Sequence, residues 1–352
     1  MIGDDNLAEK SISREIYYTI CPVGNASYIA ANRGFLKEGL GRLGVTPVRL
    51  QTLPQDQWQA HFNYKNGRLF REGGNTPPLW AKSNGTEVVL IGLKLLQQRQ
   101  VVLARADSPI TSPDHIRGAK IAIPAHPNAL IDFHKASAEQ AFELLLAARG
   151  ISKEDVTFVD LEDEGDYLSV HKDNADKARE ISVERKALDN GEADVIFVKL
   201  SLVQKLLDTG RYKVVFDLGA NRSQLSPINN EYPNTLTVSR KLAEEEPEVV
   251  VEYVKQTLLA AEWAAGHRIE AERLLAEQTY GTLWQYQNSY DKDFYKQLAP
   301  DLSEESLRAL ESRARFLYDR GYLNKPVDVY EWTDDYFLKT AIKEIERERS
   351  NN

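Results

Sequence analysis

Cys21, His61 and Arg71 bring a nucleophile, a proton carrier and an anion clamp into the first 71 residues of a 352-residue chain. Cys21 is the only cysteine and lies in TICPVGNASYIAANRGF, residues 19–35. A thiolate attacks electrophilic centres, and a thiol can give up its proton. The competing reading is a small buried hydrophobe, because free cysteine is among the most buried residue types. Pro22 and Gly24 follow directly and mark a loop rather than a strand interior. A helix is expected to start just beyond, and its free amides would favour the thiolate.

His61 and Arg71 share the stretch QAHFNYKNGRLFREGGNTPPLW, residues 59–80. An imidazole with an ordinary pKa of about 6.5 suits general acid or base work. The plain alternative is an ordinary histidine, one of six. A guanidinium fork can hold a sulfinate, sulfonate or carboxylate through two hydrogen bonds. The Gly73-Gly74 pair after Arg71 could add backbone N–H groups to the same anion, or could be a simple loop. Trp58, Phe62, Tyr64, Phe70 and Trp80 crowd this region and are either core or the wall of an apolar pocket. His126 and His134 carry no usable pattern.

Other chemistries are not indicated. No dinucleotide or phosphate-loop glycine pattern, zinc-protease helix motif or serine nucleophile elbow is present. A single cysteine excludes an internal disulfide and any multi-cysteine metal site. No cofactor and no metal are expected. A net charge of −9 without a long basic run argues against nucleic acid. No run reaches the length of a membrane helix, so no membrane partner is expected. The acidic opening, MIGDDNLAEKSISRE, has neither the charge nor the apolar core of a secretory signal. With one reduced thiol, this points to the cytoplasm.

The elements that must position these groups follow from β-rich runs and helical periods. Strands are expected at 15–20, 46–53, 86–93, 100–105, 120–123, 156–161, 194–198 and 212–219. Helices are expected after Asn25 or Ser27, over ASAEQAFELLLAARGI, from Pro247, over SEESLRALESRARFLYDRG and over DDYFLKTAIKEIERERS. After about Pro233 the chain reads as mostly helical. The acidic stretch at 162–182 reads as a polar helix on a solvated face, and residues 1–14 are given no role. The alternation implies an α/β protein with mainly parallel sheets and two lobes. Residues 1–106 plus 217–352 would form the first lobe and 107–216 the second, with a ligand cleft between.

YYTICPVGNASYIAANRGFLKEGL, DSPITSPDHIRGAKIAIP and GEADVIFV resemble the two-lobed, type II periplasmic-binding-protein-like fold of sulfonate, nitrate and taurine binding proteins. More narrowly, CPVGNA, HFNY and REGGNTPPL resemble the hydroxybiphenyl sulfinate desulfinases, which perform the last step of dibenzothiophene desulfurisation. That resemblance implies catalytic Cys21, His61 and Arg71, with Arg71, Gly73, Gly74, Asn25 and Phe62 around the substrate. It implies an aryl sulfinate as the small-molecule partner, sulfite as product and no cofactor, in a monomer. The rival is a non-catalytic binding protein for a sulfonate or related anion, which gives Cys21 no task. A thiamine-pyrimidine synthase relative ranks third, because that family uses a cysteine-rich stretch.

Overall fold

The computed structural model describes residues 14–95, 98–165, 182–220 and 232–351. Of the expected polar helix at 162–182, residues 166–181 fall outside these, as do residues 1–13, and Glu162 ends a strand.

The first sheet is built from β1 (Arg14–Ile20), β2 (Val45–Arg49), β3 (Leu69–Gly73), β4 (Val88–Lys94) and β10 (Asn234–Ser239), in the order β2-β1-β3-β10-β4. The second lobe holds β5 (Gln100–Arg105), β6 (Lys120–Ala125), β7 (Thr157–Glu162), β8 (Ile196–Lys199) and β9 (Tyr212–Asp217). Its ladders run β8-β5-β9 and β6-β7. A bridge between Ile121 and Val195 joins them. Both lobes are α/β, as the alternation of elements implies.

Three features correct the sequence reading. The strand at 100–105 was expected in the first lobe, but β5 pairs with β8 and β9 in the second. The first crossing therefore lies between Lys94 and Gln100, before the expected boundary at 106. The apolar run VVLA inside QVVLAR fits the centre of either sheet, so its lobe is set by pairing alone. Two central strands, β3 and β10, are not among those expected from the sequence. LFREG carries two charges and a glycine, and NTLTVS lies in a segment read as helical, yet both are buried along their whole length. The sheets are also mixed: β10 runs antiparallel to β3 and β4, and β5 antiparallel to both neighbours. Each reversed strand is where the chain enters the other lobe.

Helices cover both sheets. α1 (Ala26–Asn32), α2 (Phe35–Arg42), α3 (Ala60–Asn63) and α4 (Thr76–Ser83) belong to the first lobe. α5 (Phe133–Arg149), α6 (Val183–Asn190) and α7 (Ser201–Leu207) belong to the second. The chain ends with α8 (Arg240–Glu245), α9 (Pro247–Gly266), α10 (Arg268–Gln278), α11 (Leu283–Gln287), α12 (Glu304–Asp319), α13 (Val329–Trp332) and α14 (Tyr336–Ser350). Pro247 occupies the first turn of α9, where its missing N–H costs nothing. Val249, Val250, Tyr253 and Val254 of α9 are fully buried in the first-lobe core. Among the described residues no helix is long and apolar enough to cross a membrane.

Candidate active site

β1 and β3 are parallel neighbours with Thr19 opposite Arg71 and Ile20 opposite Glu72. Both chains therefore leave the sheet at the same carboxyl edge, where open α/β sheets bind ligands. The Cys21 amide donates to the Glu72 carbonyl at 2.9 Å, extending the ladder one residue. That step puts Cys21 beside Gly73. On β3, successive side chains point to opposite faces. Arg71 and Glu72 are both buried, and each is held by its own network.

Glu72 forms a buried ion pair with Lys94 at 3.1 Å and accepts the Ser27 amide at 3.0 Å. Lys94 also donates to the Leu298 carbonyl at 3.2 Å. Burial pulls the Lys94 ammonium below its ordinary pKa, with Glu72 opposing. This pair ties β3 to β4 and to the start of α1. Tyr64 and Thr237 share a hydrogen bond at 2.6 Å, and Thr237 donates to the Arg71 carbonyl at 3.2 Å. Burial pushes the Tyr64 hydroxyl up to about 12, so it stays protonated.

Around the sulfur the three groups converge. His61 Nε2 lies 3.4 Å from Cys21 Sγ, and Arg71 Nη2 donates to the same sulfur at 3.4 Å. Arg71 Nη2 and His61 Nε2 are 3.3 Å apart. Arg71 also donates from Nε to the His61 carbonyl at 3.0 Å and from Nη1 to the Gly74 carbonyl at 2.8 Å. The guanidinium is 1% exposed, and among the described residues it forms no ion pair with a carboxylate. Behind the imidazole, Thr19 Oγ1 lies 2.8 Å from Nδ1 and accepts from Gln51 Nε2 at 2.8 Å.

The groups at the sulfur are not the helix amides that the sequence suggests. α1 starts five residues after Cys21, and three amides at its start are directed elsewhere. Ser27 N–H goes to Glu72, Tyr28 N–H to the Asn25 side chain and Asn25 N–H to Gln278. The groups that meet the sulfur are His61 and Arg71 instead.

A cavity of about 180 Å³ lies between the lobes, and Cys21, His61, Phe62, Arg71 and Gly74 line its first-lobe side. Phe133, His134, Ser137, Phe197, Lys199 and Glu184 are among its second-lobe walls. An apolar cavity of about 150 Å³ holds benzene, so this one has room for an aromatic ring. Burial pushes the Glu184 carboxyl above its ordinary pKa.

Two of the expected substrate contacts have other positions. Asn25 does not line the cavity: it is fully buried, its Oδ1 caps α1, and its Nδ2 donates to the Cys21 carbonyl at 3.4 Å. A capping residue of a helix buried against the core has no free edge for a ligand. Gly73 is the last residue of β3, opposite Thr235, and does not line the cavity either. Of the five aromatics, Phe62 reaches the cavity, edge-on to His61 with ring centroids 4.8 Å apart. Phe70 stacks on Tyr253 in the core at 3.9 Å.

Thr19, Gln51 and Gln278 are not among the site residues expected from the sequence. Gln278 donates to the Cys21 carbonyl at 2.8 Å and fixes the turn after β1. Thr19 carried a usable signal, since it shares a strand face with Cys21 two residues on. Gln51 and Gln278 carried none. Among the described residues no group of three or more His, Cys, Asp or Glu is placed to hold a metal ion.

The NMT1/THI5-like family model matches residues 75–271, more than half of the chain. No curated protein sequence matches it. A crystal structure of a cysteine-to-serine mutant of DSZB in complex with biphenyl-2-sulfinic acid matches with a TM-score of 0.78 and 25% identity, over 95% of this chain and all of that one. The desulfurization enzyme DSZB matches with a TM-score of 0.74 and 24% identity, over 94% of this chain and 99% of that one. The periplasmic sulfonate-binding protein SsuA from Methylobacillus flagellatus KT matches with a TM-score of 0.68 and 16% identity, over 95% of each chain. Two α/β lobes with a ligand cleft are thus shared with desulfurising and sulfonate-binding proteins alike, and the chain belongs to the NMT1/THI5-like family.

Proposed function

We propose that the protein is an aryl sulfinate desulfinase, cleaving a carbon–sulfur bond to release the arene and sulfite. The observation that carries this reading is the buried Arg71 guanidinium, without a carboxylate partner among the described residues, 3.4 Å from the cavity thiol. A buried cation needs a negative charge beside it. An incoming sulfinate supplies that charge and sets its sulfur against Cys21. The similarity to a DSZB mutant holding biphenyl-2-sulfinic acid supports the choice of anion. Family membership alone sets the fold and not the reaction.

The overall reaction balances as aryl sulfinate plus water giving arene plus hydrogensulfite. Arg71 would hold the sulfinate oxygens, and the walls from both lobes would exclude water and strengthen those contacts. Cys21 then has two routes. As a thiolate it would attack sulfur, the ring carbon would take a proton as the carbon–sulfur bond breaks, and water would later free sulfite from the thiol. As a thiol it would protonate the ring carbon, and the departing sulfur group would be captured by water. His61, in contact with both Cys21 and Arg71, would carry the proton in either route. The Thr19 contact on Nδ1 would hold the ring in place.

A second reading is a sulfonate-type binding protein, favoured by the likeness to SsuA. It uses Arg71 and the cleft but leaves Cys21 and His61 without a task. A sulfite-release assay over a panel of aryl and alkyl sulfinates separates the two. Release from an aryl sulfinate supports the enzyme. Tight binding of the panel with no sulfite from any member overturns it in favour of the carrier.

A further inference from the structure

One wall of the cavity is fastened to the first lobe by residues from the last sixth of the chain. Arg313, on α12, is fully buried. Its Nη1 donates to Gln140 Oε1 on α5, and its Nη2 donates to Thr76 Oγ1 at 3.0 Å. Thr76 opens α4 two residues after Gly74, the residue whose carbonyl accepts from Arg71. Alongside, Tyr322 donates to Glu139 at 2.8 Å and Arg320 pairs with Glu143 at 2.7 Å. Glu139, Gln140 and Glu143 lie on one side of α5. Phe133, His134 and Ser137 line the cavity from another side of the same helix.

None of these residues lies on the chain crossings, between Lys94 and Gln100 and between Asp217 and Asn234. The contacts are therefore a second, non-covalent connection between the lobes. The guanidinium donors form a rigid planar fork. Both acceptors are met together only while α5 and α4 keep this spacing. Separation of the lobes would strip Gln140 from a buried cation, which disfavours the open state.

We propose that Arg313 is a positioning residue that couples closure of the cavity to alignment of Arg71. One side chain holds α5, which walls the cavity, and the turn that fixes the Arg71 fork. The proposal rests on Arg71 being the anion clamp of the proposed reaction, but its test does not depend on turnover. Cys21 is the only cysteine in the chain, so alkylation by a bulky maleimide, compared with that by small iodoacetamide to correct for thiol reactivity, reports opening of the cavity.

Arg313→Met is expected to raise the alkylation rate roughly tenfold, the scale of one charge-assisted hydrogen bond. The same variant should weaken binding of biphenyl-2-sulfinate, used as the probe. The milder pair Tyr322→Phe with Arg320→Gln should raise alkylation several-fold, and it decides the matter if the buried variant does not fold. Folded variants that lose thermal stability but alkylate within about twofold of the parent rate would overturn the proposal and leave Arg313 a structural residue. If the parent protein releases no sulfite from any sulfinate, the proposed activity fails while the alkylation comparison still decides the clasp.

Discussion

A β-carbon on Gly73 would stand 2.1 Å from the sulfur of Cys21 and 2.6 Å from its Cβ. The thiol therefore lies directly over a glycine, and the space beside β3 is what allows the sulfur to face Arg71 and His61. Gly73→Ala is expected to turn the thiol away and lower the rate of sulfite release by roughly a hundredfold, the cost of an ångström-scale misplacement. The thiol can swing aside, but the Cys21 Cβ cannot, so β1 and β3 must also shift slightly and some thermal stability is expected to be lost with the activity. Steady-state kinetics with circular dichroism check this, and a folded variant with the parent rate contradicts it.

Cys21→Ser keeps the shape of the site but removes the sulfur. Sulfite release should fall below detection while sulfinate binding, measured by calorimetry, stays within a few-fold because Arg71 remains. Full activity in this variant would exclude Cys21 from the chemistry.

Arg71→Lys keeps the charge and loses the planar fork. The Michaelis constant is expected to rise about tenfold to a hundredfold, the range for one or two charge-assisted hydrogen bonds. An unchanged Michaelis constant would place the sulfinate elsewhere in the cavity.

Thr19→Val removes the hydroxyl that meets His61 Nδ1 and receives Gln51, at nearly constant volume. The ring loses its tether, and kcat should drop by about tenfold or more with a shifted pH–rate profile. Loss of stability with an unaltered pH profile would make Thr19 structural only.

His126 offers a pH test outside the thiol cluster. Burial disfavours its charged form, but the Asp132 carboxylate at 3.0 Å, with Glu184 and Asp163, outweighs that and raises the pKa. A raised folded pKa means the imidazolium stabilises the fold. The gain is complete below the unfolded value of about 6.5 and fades as pH rises through the folded value. The melting-temperature gap between the parent and His126→Gln should therefore be wider near about pH 5.5 than near about pH 8. An equal gap at both would refute the assignment. Because Asp132 also caps α5, the wall of the cavity should loosen over the same range.

Residue chemistry and local period determined a good deal of this protein. A lone thiol after a β-rich run, a histidine beside apolar residues and an arginine before two glycines point to an anion site without any coordinates. The alternation of strands and helices gives two α/β lobes, because side-chain spacing decides which element buries an apolar face. What pairs with what was decided only in three dimensions. LFREG became a central strand because its arginine and glutamate side chains are each met by partners, the His61 and Gly74 carbonyls and Cys21 on one side and Lys94 on the other. β5 went to the second lobe because apolar runs fit any sheet interior, and only register selects one. Asn25 as the cap of α1 was legible locally, since its side chain accepts from Tyr28 three residues on, whereas Gly73 as room for the sulfur depends on the parallel pairing of β1 with β3. Local sequence sets what each residue can do, while long-range hydrogen bonding and packing set which partner it meets.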